Sequence, residues 1–219
     1  MRRVLRARPG ADGQRRRVWK GDEGEAARDH RGASRGRVVH ASLADLLLDL
    51  VHNAVNAKAA TIGVRWAERD GVLDIEVADD GSGMSKETQQ RALSPFYTDG
   101  VAHPTRKVGL GLPFLVQTAD SVGGEFRLDS EPGRGTVVGV RLPVDHVDLP
   151  AQGDVCECFA YALAVTGPRE VVIDRVGIDD GYTLRRSELE DALGDLEDPE
   201  SLRLLIAYIR SQEEAVWQR

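Results

Sequence analysis

Ser42-Leu43-Ala44-Asp45-Leu46-Leu47-Leu48-Asp49-Leu50-Val51-His52-Asn53-Ala54-Val55-Asn56 is the stretch on which the fold is decided. Its apolar residues at Leu43, Leu46, Leu47, Leu50, Val51 and Ala54 follow the i, i+3, i+4, i+7, i+8, i+11 series of one helical face. Ser42 followed by Asp45 has the pattern of a capping box, with Asp in place of Glu. The same period gathers Asp49, Asn53 and Asn56 on another face, where three polar groups can meet one ligand.

Downstream, Ile62, Val64 and Trp66 alternate, Arg69-Asp70-Gly71 supplies turn chemistry, and Leu73, Ile75 and Val77 alternate again, predicting a β-hairpin. The second strand runs into Asp79-Asp80-Gly81-Ser82-Gly83-Met84. A short helix is expected from Lys86 to Leu93. Residues 94–107 carry Pro, Gly, Thr and His without a period and read as a lid-like loop. Val108-Gly109-Leu110-Gly111-Leu112-Pro113 then opens a helix that stops at Gly123-Gly124. Strands at 125–129 and 136–142 flank the turn Glu131-Pro132-Gly133-Arg134-Gly135. From 144 onward a second α/β unit is expected: a helix over 154–166, strands at 171–176 and 181–184, a helix capped by Ser187 with Glu190, and a last one opened by Asp198-Pro199.

Upstream, residues 1–37 hold 12 Lys/Arg against 5 Asp/Glu, which leaves 17 against 31 in the remainder. An acidic body repels nucleic acid, so contact with nucleic acid is not expected except through this basic, aperiodic and therefore disordered head. With 219 residues, 41% of them apolar and 30% charged, the chain has room for one generous domain or two small ones, which excludes a disulfide mini-protein. No apolar run approaches the ~18 residues of a membrane span, and the arginine-rich start lacks the apolar stretch of a secretion signal. A cytoplasmic protein with no membrane contact is expected. Cys156 and Cys158 stand too close for an ordinary bridge and are too few for a zinc site.

Alone, each glycine motif reads as a tight turn and each Asn as a solvated helix residue; order and spacing change the weighing. Residues 49–62 resemble the N box of the GHKL superfamily of ATP-binding domains, the group of gyrase, Hsp90, histidine kinases and mismatch-repair ATPases. Residues 79–84 resemble its first glycine box, Ser94-Pro95-Phe96-Tyr97-Thr98 its F box and Val108-Gly109-Leu110-Gly111-Leu112 its second glycine box. The likeness extends through Gly133-Arg134-Gly135-Thr136. It implies an α/β (α+β) two-layer sandwich of the GHKL, or Bergerat, type: a head at 1–37, an ATP-binding domain at 38–143 and a small C-terminal α/β extension at 144–219.

The resemblance also implies site roles. Asn53 corresponds to the ligand of Mg²⁺, supplying a neutral hard oxygen beside a triphosphate. Asp79 corresponds to the carboxylate that accepts from the exocyclic amine of adenine. Gly81 and Gly83 let the chain turn near the base, while Gly109 and Gly111 let backbone N–H groups approach phosphates at a helix start. Arg106 and Lys107 stand where phosphate charge needs neutralising, and Arg134 or Thr136 near bound water by the base. Asn56, Met84, Leu110 and Leu112 complete the nucleotide-binding set. The family's general base is Glu, here replaced by Asp49, one methylene shorter, so slow hydrolysis is expected. Asp80 stands where Asn is usual, either adding metal charge or facing solvent.

The function implied is a Mg²⁺-dependent ATP-binding protein acting as a weak ATPase or ATP-driven switch on a protein partner. A kinase acting on a separate protein and a non-catalytic nucleotide sensor are the alternatives. His30, His40, His52, His103 and His146 are followed by Arg, Ala, Asn, Pro and Val, so none has the acidic neighbour of a phosphoacceptor His in cis.

Overall fold

The computed structural model describes residues 42–94, 111–178 and 180–217, all within one compact unit. Helix α1 (Leu43–Asn56) starts at a complete capping box: Ser42 Oγ accepts from Asp45 N, and the Asp45 carboxylate accepts from Ser42 N at 2.9 Å. Its apolar face is buried, with Val51 fully out of water. Strands β1 (Thr61–Arg69) and β2 (Val72–Asp79) form the expected hairpin. Asp70 and Gly71 both take positive φ, as a two-residue turn matched to strand twist requires.

Next come α2 (Lys86–Ala92), α3 (Gly111–Ser121), β3 (Glu125–Glu131) and β4 (Gly135–Pro143). They are followed by α4 (Val155–Leu163), β5 (Glu170–Val176), β6 (Gly181–Arg185), α5 (Arg186–Leu193) and α6 (Pro199–Trp217). Among the described residues six strands make one mixed sheet in the order β3-β4-β2-β1-β5-β6. Among these described strands only the β1–β5 pair is parallel.

Register lines up the buried face. Val138, Val77, Val64, Ile173 and Leu184 form one row across five strands, and Val140, Ile75, Trp66, Arg175 and Tyr182 form the next. Helix α1 packs between α3 and α4 over the hydrophobic core, giving a helical layer on this face. Trp66 is fully buried and meets Phe159 of α4 edge-on, with ring centroids 6.0 Å apart. On the opposite face Arg127 pairs with Glu76, and Arg141 lies 3.9 Å from Asp74.

Residues from 144 onward share this sheet rather than forming a unit with its own core, because β5 pairs with β1 from Thr61↔Glu170 to Ala67↔Val176. The Ser187 cap is not formed. Ser187 lies inside α5 and its hydroxyl donates to Glu170 Oε2 at 2.8 Å, while Glu190 pairs with Arg186. A carboxylate arriving from β5 outcompetes a local cap. Asp198 does open α6, its Oδ2 accepting from Glu200 N at 2.9 Å. The two thiols diverge: Cys158 is buried and donates to Ala44 O at 3.3 Å, its pKa pushed up to about 12 by burial, while Cys156 is half-buried. Among the described residues no helix is long and apolar enough to cross a membrane.

Candidate functional site

The candidate site lies where α1, the loop after β2, and the ends of β3 and β4 converge. On α1, Asp49, Asn53 and Asn56 are exposed on one face. Helix α3 starts against that face: a Cβ on Gly111 would stand 3.0 Å from Asp49 Cβ and 3.4 Å from its Oδ2, so a side chain there would press on the Asp49 carboxylate. Partial desolvation raises the Asp49 pKa above the usual carboxylate range, with His52 opposing and Asp45 reinforcing the shift. Leu112 is buried, facing the core rather than the polar face of α1.

The glycine loop is held at the other end of α1. Ser82 N donates to Ala57 O at 2.9 Å, and a Cβ on Gly81 would lie 2.8 Å from Ala57 Cβ. Gly83 has φ +63, and a Cβ there would lie 1.9 Å from Glu131 O. Asp79 Oδ1 accepts from Gly81 N at 2.8 Å. Burial raises the Asp79 pKa, as does the neighbouring Asp80, while the N–H groups of Gly81 and Thr136 counter it. A carboxylate has about four acceptor positions, so these two donors leave capacity for an amine.

Asp80 does something else than either expected role. Its Oδ1 accepts from Ala60 N at 2.7 Å and Thr61 N at 2.9 Å, tying the loop to the turn between α1 and β1. Arg134 pairs with Glu131 inside its own turn at 2.8 Å. Thr136 is the register partner of Asp79, and its Oγ1 lies 2.9 Å from Ser130 Oγ. Ser130 and Gln89 are buried polar residues of this site that sequence reasoning passed over. The signal was present in β3, where Phe126 and Leu128 alternate into Ser130 on the inward face.

Thus Asp79, Gly81, Gly83, Met84 and Thr136 come together at one end of α1, and Asp49 with Gly111 further along it. Arg106, Lys107, Gly109, Leu110, and the F box and lid beyond Ser94 lie outside the described residues, as does the basic head. Among the described residues no group of three or more His, Cys, Asp or Glu could hold a metal. A single Asn oxygen on a face that also carries a carboxylate does fit a cation whose remaining ligands are phosphate and water.

Residues 39–146 match a family model described as histidine kinase-, DNA gyrase B- and HSP90-like ATPase. The histidine protein kinase DivJ of Caulobacter vibrioides is 40% identical over 106 residues, covering 47% of this chain and 18% of its own. The sensor histidine kinase ZraS of Klebsiella oxytoca is 33% identical over 118 residues, covering 51% of this chain and 24% of its own. Among solved structures, full-length ShkA in complex with AMPPNP is 25% identical, covers 48% of this chain and 22% of that one, and superposes with a TM-score of 0.36. The chain spans less than a quarter of either of these two curated relatives.

Proposed function

We propose, from the premise that residues 39–146 form a GHKL-type ATP-binding domain, that this chain binds Mg²⁺-ATP and acts as a weak ATPase or ATP-driven switch on a protein partner. One observation supports the reading: the Asp79–Gly81 loop and the glycine start of α3 lie at separate points along α1. Ala57, against which Gly81 packs, and Asp49, against which Gly111 packs, are eight residues apart. At the helical rise this is about 12 Å, a span that separates a base from a triphosphate tail.

In this arrangement Asp79 accepts from the adenine amine and the N–H groups at the start of α3 face the phosphates. Asn53 would hold Mg²⁺, which when bound supplies charge neutralisation to the phosphates. Asp49 orients water and accepts its proton; its raised pKa makes it the stronger proton acceptor, but its short side chain limits reach. The likeness to histidine kinases favours a second reading, transfer of phosphate to a side chain of a separate protein.

Single-turnover phosphate release at saturating Mg²⁺-ATP separates the two. For a weak ATPase the parent releases phosphate slowly, Asp49→Asn more slowly still, and Asp49→Glu faster through restored reach. Equal measurable rates in all three forms remove Asp49 from the chemistry. Undetectable release in all three, with label appearing on an added partner, establishes the kinase.

A further inference from the structure

Helix α4 packs against both α1 and α6, and the three leave a groove of about 510 Å³ between them. Leu48, His52 and Val55 line it from α1, Tyr161 from α4, Val165 from the turn after it, and Leu202 from the start of α6. One edge is polar: there Thr166 Oγ1 donates to Glu197 Oε1 at 2.9 Å, which fixes the carboxylate at the rim. Tyr161 is 45% exposed, whereas its neighbours Ala160 and Ala162 are fully buried. An apolar floor, an exposed aromatic ring and a polar rim make up the composition of a protein-binding surface.

Charge narrows the choice of occupant. No Lys or Arg lines the groove, and the stretches that build it carry none: α1 holds Asp45 and Asp49, α4 holds Glu157, and residues 187–202 hold seven Asp/Glu. Such walls repel nucleic acid and anionic lipid and attract Lys and Arg. Backbone chemistry narrows it again. The groove is made by helices and the turns that join them, so it has no free strand edge, and an occupant must satisfy its own backbone, as a helix does.

We propose that the α1–α4–α6 groove docks a basic amphipathic helix of a partner protein, whose apolar face covers Tyr161, Val165 and Leu202 and whose Lys or Arg residues flank that face beside Glu197. The inference rests on the reading of this chain as acting on a protein partner, and deepens it by giving that partner a place and a chemistry. Leu48, His52 and Val55 are the chain neighbours of Asp49, Asn53 and Asn56. Successive residues of α1 therefore face the docked helix and the nucleotide, and the two ligands are separated by no more than this one helix.

The test is selection from a displayed library of helix-forming peptides about 18 residues long, or five turns, on the full chain, with counter-selection on Tyr161→Glu. The peptides recovered should carry Lys and Arg around one apolar face. A synthetic copy of one should bind Tyr161→Ala about tenfold more weakly, as loss of an aromatic anchor predicts, and Glu197→Gln several-fold more weakly. Asp129→Asn, an exposed carboxylate on β3, should leave its affinity unchanged. Recovered peptides that are acidic or uncharged, an affinity that Tyr161→Ala does not move, or no groove-dependent peptide at all overturns the proposal. So does a dimer of the full chain in sedimentation that Tyr161→Glu dissociates, which gives the groove to a second copy. Should the Tyr161 variants not fold, Glu197→Lys decides: it must weaken the peptide more than Glu197→Gln does, and equal binding is fatal. Calorimetry with Mg²⁺-ATP on the same chain separates the two levels. ATP binding without a groove-dependent peptide removes the docking site alone, whereas a groove-dependent basic peptide without ATP binding removes the nucleotide reading and leaves the docking site standing.

Discussion

Asp79 and Asp80 are adjacent carboxylates with opposite uses. Asp80 is spent on structure, its Oδ1 satisfying two backbone donors, and an Asn oxygen would accept them equally well. Asp80→Asn should therefore unfold at nearly the parental denaturant midpoint, while Asp80→Ala should lose about 1 kcal/mol in the same urea titration. On the proposed reading Asp79 is held ready for the base at a cost to the fold. Its native pKa is raised, mainly by desolvation, so the native state binds its proton more tightly than the unfolded chain does. The stability this gives is complete below the ordinary carboxylate pKa and is lost as pH rises through the native value. Asp79→Asn keeps an acceptor for Gly81 N but carries no such penalty. Its stability relative to the parent should rise between acid and neutral pH, while its ATP affinity collapses. Urea midpoints that do not diverge with pH would show that burial of Asp79 carries no such penalty.

At the level of elements, the loop between β2 and α2 is shaped by close backbone approach, and two glycines separate that effect from simple torsional strain. Gly83 and Gly123 have nearly the same φ, +63 and +67, but a Cβ on Gly83 meets the Glu131 carbonyl whereas one on Gly123 meets nothing within 4 Å. Gly123→Ala should cost about 1 kcal/mol of left-handed strain. Gly83→Ala should cost several times as much, since backbone must move, and thermal melts of the two variants measure the difference. What could be read from the chain divides along similar lines. α1 and the β1–β2 hairpin were readable because their periods, cap and turn are local. The parallel β1–β5 pairing was not, because Thr61 and Glu170 meet across a long stretch of chain and β5 has no marker naming its neighbour. In the site, Asp79 and the glycines carry a motif, whereas the roles of Ser130, Gln89 and Asp80 depend on backbone groups brought in from other elements.

For the molecule as a whole, the question is whether the family-matched region can stand without the residues after it. α6 is anchored to the sheet by a buried cluster in which Arg175 Nε donates to Glu213 Oε1 at 3.0 Å and Tyr182 Oη donates to the same oxygen at 2.5 Å. Glu213→Ala should destabilise by about 3 kcal/mol, because it leaves a guanidinium that is 2% exposed without this carboxylate, and Glu213→Gln by clearly less. Removal of 144–219 goes further. It takes away the strand that pairs with β1, the Phe159 ring against Trp66 and the α4 packing over α1. The stripped edge is apolar, with Ile62, Val64 and Trp66 all nearly inaccessible in the full chain, and losing ~2 kcal/mol for each large side chain re-exposed approaches the whole stability of a domain. The chain ending at 143 should therefore melt without a cooperative transition, bind the dye ANS and fail to bind ATP. A cooperative melt with parental ATP affinity would mean that β1 tolerates an open edge and that residues 144–219 are not needed for the fold.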